Sequence, residues 1–256
     1  CIVIGFVGID SVLILTVGRI QNQNPIDVKY LSEFIGGTMT EPISFSNTAI
    51  VACGTMSPEI NCLVKDGFLD TRHLFFTTPG LHQHIPELEN QLSQNIEKAR
   101  QKADDIIVVY GGKYCYVNPD NPTRLMQAII EEAGPRVGRV EATHCMGMLA
   151  SDEEMDQIRL ELAGGEPVWF MTPGWVQYWS LVFDGWDQAM ANENFPRHTG
   201  GAVVLDGIGY MDAFMADQPE KFLELCDWMG IPMQPYTVTL DRFKLLLSEQ
   251  LRQLKQ

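Results

Sequence analysis

Positive charge is scarce in this chain. Its 256 residues carry 18 Lys and Arg against 33 Asp and Glu, a formal net charge of −15 at pH 7. With no Lys/Arg-rich stripe to displace counterions, a nucleic-acid partner is excluded. The same balance argues against docking on an anionic membrane surface. Cysteine is thin too: six residues, too few and too scattered for a disulfide scaffold. They fit free thiols or a metal site in a reducing compartment, so a cytoplasmic protein is expected. The chain lacks a Cys-x-x-Cys pair, a Gly-x-Ser-x-Gly elbow, a Walker loop and a G-x-G-x-x-G turn. Gly207-Ile208-Gly209 is only half of the last of these.

What is present is an ordinary globular composition, 45% apolar and 20% charged, with length enough to bury a full core. The run Val168 to Met171 reads as a buried strand stopped by Thr172-Pro173-Gly174, and Leu74 to Thr77 is stopped by Thr78-Pro79-Gly80. These landmarks lie about 94 residues apart, and three others recur in the same order at nearly that offset. They pair Ala49–Cys53 with Val140–Cys145, Ile107–Gly111 with Val203–Gly207, and the helical pattern Pro122–Ala133 with Pro219–Met229. Internal duplication follows: two similar Rossmann-like α/β halves, mainly parallel sheets and an interlobe cleft. The expected boundaries are an extension and linker over 1–47, halves at 48–138 and 139–239, and a C-terminal helix over 240–256 packing back. A further helix is expected over Pro86–Ala103, with Leu88, Leu92, Ile96 and Ala99 on one face. Residues 1–20 are apolar except at Asp10 and Arg19, leaving a leader, a buried extension and a membrane anchor as open readings. A peripheral extension is the expectation.

Ligands of open parallel sheets bind outside the carboxyl ends of the strands, where strand order reverses. That rule selects Gly54, Tyr110, Gly111, Thr172, Gly174 and Trp175 as candidate cofactor contacts. Glycine there lets backbone approach a ligand. Cys53 and Cys145 hold equivalent places in the two halves, which would face them across one cleft. Cys115, His82 and His144 could reach the same space. Thiolates with one or two imidazoles suit a transition metal or an iron–sulfur cluster. Structural thiols and a nucleophilic cysteine are the competing readings of the same residues. Cys62 and Cys226 fall among apolar neighbours on helical patterns and read as core. Trp169, Trp175, Tyr178, Trp179, Phe183 and Trp186 crowd one stretch. They form a core stripe or, less favoured, a stacking platform rimmed by Asp187, Asn192 and Glu193.

At Ala52-Cys53-Gly54, Leu81-His82, Tyr110-Gly111 with Cys115, His144-Cys145 and Thr172-Pro173-Gly174-Trp175, the chain resembles a prokaryotic family, domain of unknown function 1638. The resemblance spans roughly Thr48 to Thr239. Gln83 and the Gly112-Lys113-Tyr114 insertion depart from the family pattern. It implies an association with corrinoid-dependent methyl transfer in anaerobes, with a corrinoid protein or methyltransferase as partner. The Asp-x-His-x-x-Gly motif of corrinoid carriers is missing, so the chain would be an accessory and not the carrier. Three functions are therefore in play. The first is a metal or metal-cofactor site made by Cys53, Cys115 and Cys145 with His82 or His144. The second is a thiol-dependent transferase using Cys145, and the third is a non-catalytic partner-binding module.

Overall fold

A computed structural model describes residues 3–9, 12–18 and 43–256. The first two stretches, β1 (Val3–Ile9) and β2 (Val12–Gly18), pair antiparallel, with Val3 opposite Gly18 and Ile9 opposite Val12. Their Val and Ile content favours extended backbone. Among the described residues no helix is long and apolar enough to cross a membrane. The linker expected from residue 21 lies outside the described residues as far as residue 42.

Residues 43–256 are a compact unit of their own. Four strands, β3 (Thr48–Cys53), β4 (Leu74–Thr77), β5 (Asp105–Val109) and β6 (Val137–Arg139), form one wholly parallel sheet in the order β4-β3-β5-β6. Helices α1 (Ser57–Lys65), α2 (Ile85–Arg100) and α3 (Met126–Glu132) make the crossovers. β3 and β5 are short apolar runs buried on both faces, as central parallel strands must be. The stripe Leu88, Leu92, Ile96 and Ala99 is buried, and Pro86 stands in the first turn of α2. From β3 the chain moves outward to β4, then returns past β3 to β5. Strand order therefore reverses between β3 and β5, which opens a crevice beyond Cys53 and Tyr110.

The second sheet, β7 (Trp169–Met171), β8 (Ala202–Asp206) and β9 (Met233–Thr237), is parallel and runs in simple order. Its neighbours are α4 (Asp152–Ala163), α5 (Pro173–Gln177), α6 (Trp179–Val182), α7 (Gln188–Asn194), α8 (Tyr210–Asp217) and α9 (Pro219–Met229). Side-chain alternation divides β8 between two cores. Val203 and Leu205 join the large core of the first sheet, whereas Ala202 and Val204 face Met211, Phe214, Leu225 and Met229. The last helix, α10 (Asp241–Leu254), buries Phe243, Leu247 and Leu251 and packs on β5 and β6.

An α/β fold with mainly parallel sheets is thus what the chain adopts, but the two sheets are not copies. The first has four strands with an order reversal, and the second has three that run in simple order. The expected equivalence of Cys53 and Cys145 is corrected here. Cys53 ends β3, while Val140–Cys145 is a loop beyond β6, an edge strand of the same sheet. Arg139 explains that path. Its Nη1 donates to the carbonyls of Tyr110, Val140 and Ala142, so those acceptors turn to the guanidinium and the chain bends across the strand ends.

That bend presses the loop after β6 onto the loop after β5. Ala142 accepts from the Gly112 N–H at 2.8 Å, and the Thr143 carbonyl accepts from Lys113 and Tyr114 at 3.1 and 3.0 Å. A Cβ at Gly111 would collide with the backbone of Thr143 and His144. Gly111→Ala should cost about 1–3 kcal/mol by forcing these backbones apart. Gly147→Ala, where the nearest atom would stand at 3.5 Å, should stay within about 0.5 kcal/mol of the parent. Denaturant unfolding of both variants checks this, and equal losses would refute the contact.

The α1 face toward the core carries one charged residue, Glu59, fully buried beside Ile60 and Leu63. Neither carboxyl oxygen has a hydrogen-bond partner. Burial, with a smaller push from Asp206, raises it from an ordinary 4.5 to about 8. Between those values the folded chain keeps a proton that the unfolded chain releases. Stability therefore falls as pH rises across that window, by up to about 1.4 kcal/mol per pH unit. Glu59→Gln should remove that component, so unfolding at pH 5 and at pH 8 should differ less in the variant than in the parent. An unchanged difference would show that Glu59 is ionised in the folded protein.

Candidate functional site

Three sulfurs meet at the order reversal. Cys53 is the last residue of β3, Cys115 lies in the loop after β5, and Cys145 follows the bend made by Arg139. The Cys115 and Cys145 Sγ atoms are 3.9 Å apart. The Thr55 hydroxyl stands 3.0 Å from the Cys53 sulfur and 4.0 Å from that of Cys145. All of these line one cavity of about 190 Å³, with Leu81, His82, Tyr110, Tyr114, His144, Met146 and Trp175 completing its wall.

The sulfurs disfavour negative charge in one another. Burial pushes the Cys53 thiol up to about 11, and the nearby Cys145 adds to that, against partial relief from Thr55. Cys145 rises well above the ordinary thiol value. The largest cause is its contact with Cys115 and the next is burial, while Trp175 and Thr55 oppose both. The Trp175 indole N–H is buried without a full hydrogen bond, so it faces that sulfur as an incompletely used donor. Tyr110 is also raised, first by burial and then by Cys53, and its hydroxyl pairs with that of Thr77. The pocket is therefore lined by neutral, proton-bearing groups that a cation would discharge.

The two imidazoles differ in kind. His144 Nδ1 accepts the Gly147 N–H at 2.9 Å, which puts the proton of the neutral ring on Nε2. Burial lowers its pKa against the opposing pull of Asp152, so the neutral ring is favoured. His144 accordingly offers an N–H and not a lone pair. His82 stacks on Trp175 with ring centroids 5.6 Å apart and planes 18° from parallel. Burial and then His84 lower its pKa, so it too is favoured as a neutral ring. No hydrogen bond to a described residue engages its nitrogens. Tyr114, 55% exposed, lies 5.7 Å from the His144 ring at the rim of the cavity.

Of the residues singled out in the sequence, Cys53, His82, Tyr110, Cys115, His144, Cys145 and Trp175 share this wall. Gly54, Gly111, Thr172 and Gly174 lie outside it. Thr172 is fully buried and accepts the Trp175 N–H as the cap of α5. A Cβ at Gly174 would collide with the Thr55 carbonyl, so this glycine seats α5 on the cavity wall and carries Trp175 into place. Among the described residues, no group of three or more His, Cys, Asp or Glu side chains is close enough, as placed, to hold a metal ion. Cys62 and Cys226 sit on α1 and α9, away from the cavity. The aromatic platform resolves as core. Trp169, Phe183, Trp186, Phe195 and Trp228 pack at tilted and edge angles, and only Trp175 of the expected group reaches the cavity. Sequence reasoning missed Thr55, Leu81, Tyr114 and Met146. Each is a near neighbour of a selected residue, which is the signal that would have found them.

No curated protein and no solved structure matches the chain. One family does, over residues 76–247, about two-thirds of the length. The stretch starts and ends later than the resemblance over Thr48 to Thr239. It takes in His82, Cys115, His144 and Cys145 but leaves Cys53 and Thr55 before its start. The chain belongs to the family described as Protein of unknown function (DUF1638).

Proposed function

We propose that the cavity binds a soft, thiophilic metal ion, or the metal of a metal-containing cofactor, through Cys53, Cys115 and Cys145. His82 would be the fourth donor. The convergence of three sulfurs, one from the end of β3 and two from the loops after β5 and β6, on one small cavity carries this reading. In a tetrahedral site with metal–sulfur bonds of about 2.3 Å, neighbouring sulfurs stand about 3.8 Å apart. Cys115 and Cys145 already hold 3.9 Å, so side-chain rotation at Cys53 and His82 would complete the shell. His144 would donate its Nε2–H toward a bound thiolate or an exogenous ligand, a role that outer-shell donors commonly fill. A resident cation also reverses the charge problem, since the thiols lose protons as it enters.

A nucleophilic Cys145 is the weaker reading, because nucleophilic thiols are depressed in pKa and this one is raised. The family context implies a corrinoid protein or methyltransferase partner in anaerobic one-carbon metabolism. A thiolate-bound metal is chemistry that could take part in methyl transfer there.

The test is titration of the metal-free chain, prepared without oxygen, with Cd(II). Sulfur-to-metal absorption in the near ultraviolet should saturate at one equivalent and release protons. Apparent affinity should rise from pH 6 to pH 8, because Cys53 and Cys145 must deprotonate from raised values. Cys145→Ser should weaken uptake at least tenfold, whereas Cys62→Ser and Cys226→Ser should leave it unchanged. Absence of the band, or equal binding by Cys145→Ser, would overturn the proposal.

A further inference from the structure

We infer that Cys115 and Cys145 are an oxidisable pair that peroxide joins as a disulfide, leaving Cys53 free. The inference stands without the metal; only its consequence for metal loading rests on the reading above. The sulfurs are in van der Waals contact at 3.9 Å, and a bond needs about 2.05 Å. Both residues lie in loops, outside the regular strands, so modest side-chain and backbone adjustment can close that gap.

Cys53 is less suited to either partner. It ends a central strand, and the Thr55 hydroxyl, 3.0 Å from its sulfur, lies within reach of Cys145 as well. Access is provided by the cavity: about 190 Å³ holds several molecules the size of water or peroxide, at about 30 Å³ for each water. Of the five described cysteines, Cys115 and Cys145 thus combine contact with one another and a lining position.

The chemistry balances with hydrogen peroxide as oxidant. The Cys115 sulfur, giving up its proton, attacks a peroxide oxygen and breaks the O–O bond, giving a sulfenic acid and hydroxide. The hydroxide takes up the proton that the thiol lost. The second sulfur then displaces the sulfenic hydroxyl, forming the S–S bond and a second water. Two electrons leave the sulfur pair, and one peroxide becomes two waters. The product removes two of the three thiols and bridges the loops after β5 and β6 across the cavity wall.

The experiment treats the whole metal-free chain with a small excess of peroxide, blocks remaining thiols with N-ethylmaleimide, digests with trypsin and reads the peptides by mass. Peptides 114–124 and 140–159 should appear joined and two hydrogens lighter than their sum, with Cys53 alkylated. Separate alkylated peptides, or a link involving Cys53, would overturn the inference. Cys53→Ser should keep the link and Cys115→Ser should lose it. Reduced protein that shows no Cd(II) absorption but forms the link would sink the metal reading alone. Cd(II) uptake without the link would sink this one alone. Where both hold, oxidised protein should lose Cd(II) absorption and regain it on reduction with a phosphine.

Discussion

The two loops that leave β5 and β6 lie backbone against backbone, and the site depends on that contact. Without it the sulfurs of Cys115 and Cys145, 30 residues apart in sequence, would have no reason to touch. Arg139 supplies the clamp by collecting three carbonyls from both loops. Gly111 supplies the space, because a methyl group there would occupy the path of residues 143 and 144. The guanidinium is itself partly buried, and desolvation lowers its pKa. Three carbonyl dipoles compensate for the water it gives up. Cys53 then needs no special arrangement, since the central strand of a reversed-order sheet delivers its last residue to the same crevice.

The electrostatics follow from that geometry. Three thiols with a phenol and a threonine hydroxyl nearby, in a largely apolar pocket, cannot all ionise, and the shifts at Cys53, Cys145 and Tyr110 point the same way. The neutral state is stable but leaves soft donors close together with no cation between them. Either of two events relieves this: a cation that replaces the protons, or loss of electrons that turns contact into a bond. The same 3.9 Å separation suits both, because a tetrahedral edge between two metal-bound sulfurs and a van der Waals contact between free ones have nearly the same length.

The site was more legible in the sequence than the architecture. Apolar runs ending in Cys53-Gly54, Tyr110-Gly111 and His144-Cys145 mark the carboxyl ends of strands or the loops beyond them, and the crevice rule depends on nothing else. The fold does not confirm duplication, and its strongest landmark, Thr-Pro-Gly, is local turn chemistry. In Thr172-Pro173-Gly174 the threonine caps a helix, proline enters its first turn and glycine packs on Thr55. In Thr78-Pro79-Gly80 the glycine takes φ 85° and begins a different turn. One tripeptide serves two conformations, since proline fixes only its own φ and glycine accepts either hand. Val140 to Cys145 pairs in the sequence with the strand run Ala49 to Cys53 because both end in cysteine. The interaction that bends it comes from Arg139, whose targets no window of sequence reveals.

The second sheet contributes to the cavity without repeating the first. Its strands run in simple order, so it has no reversal and no crevice of its own. It backs the first sheet through Val203 and Leu205, while α5, leading from β7, rests by Gly174 on the Thr55 carbonyl. From that seat a single indole reaches the site, stacking on His82 and turning its N–H toward Cys145. Thr55 is therefore the hinge of the whole assembly. Its carbonyl seats the helix that bears Trp175, and its hydroxyl lies between two of the three sulfurs. A shift of α5 relative to the first sheet would move wall and sulfur environment together, which ties the packing of the second core directly to the chemistry of the first.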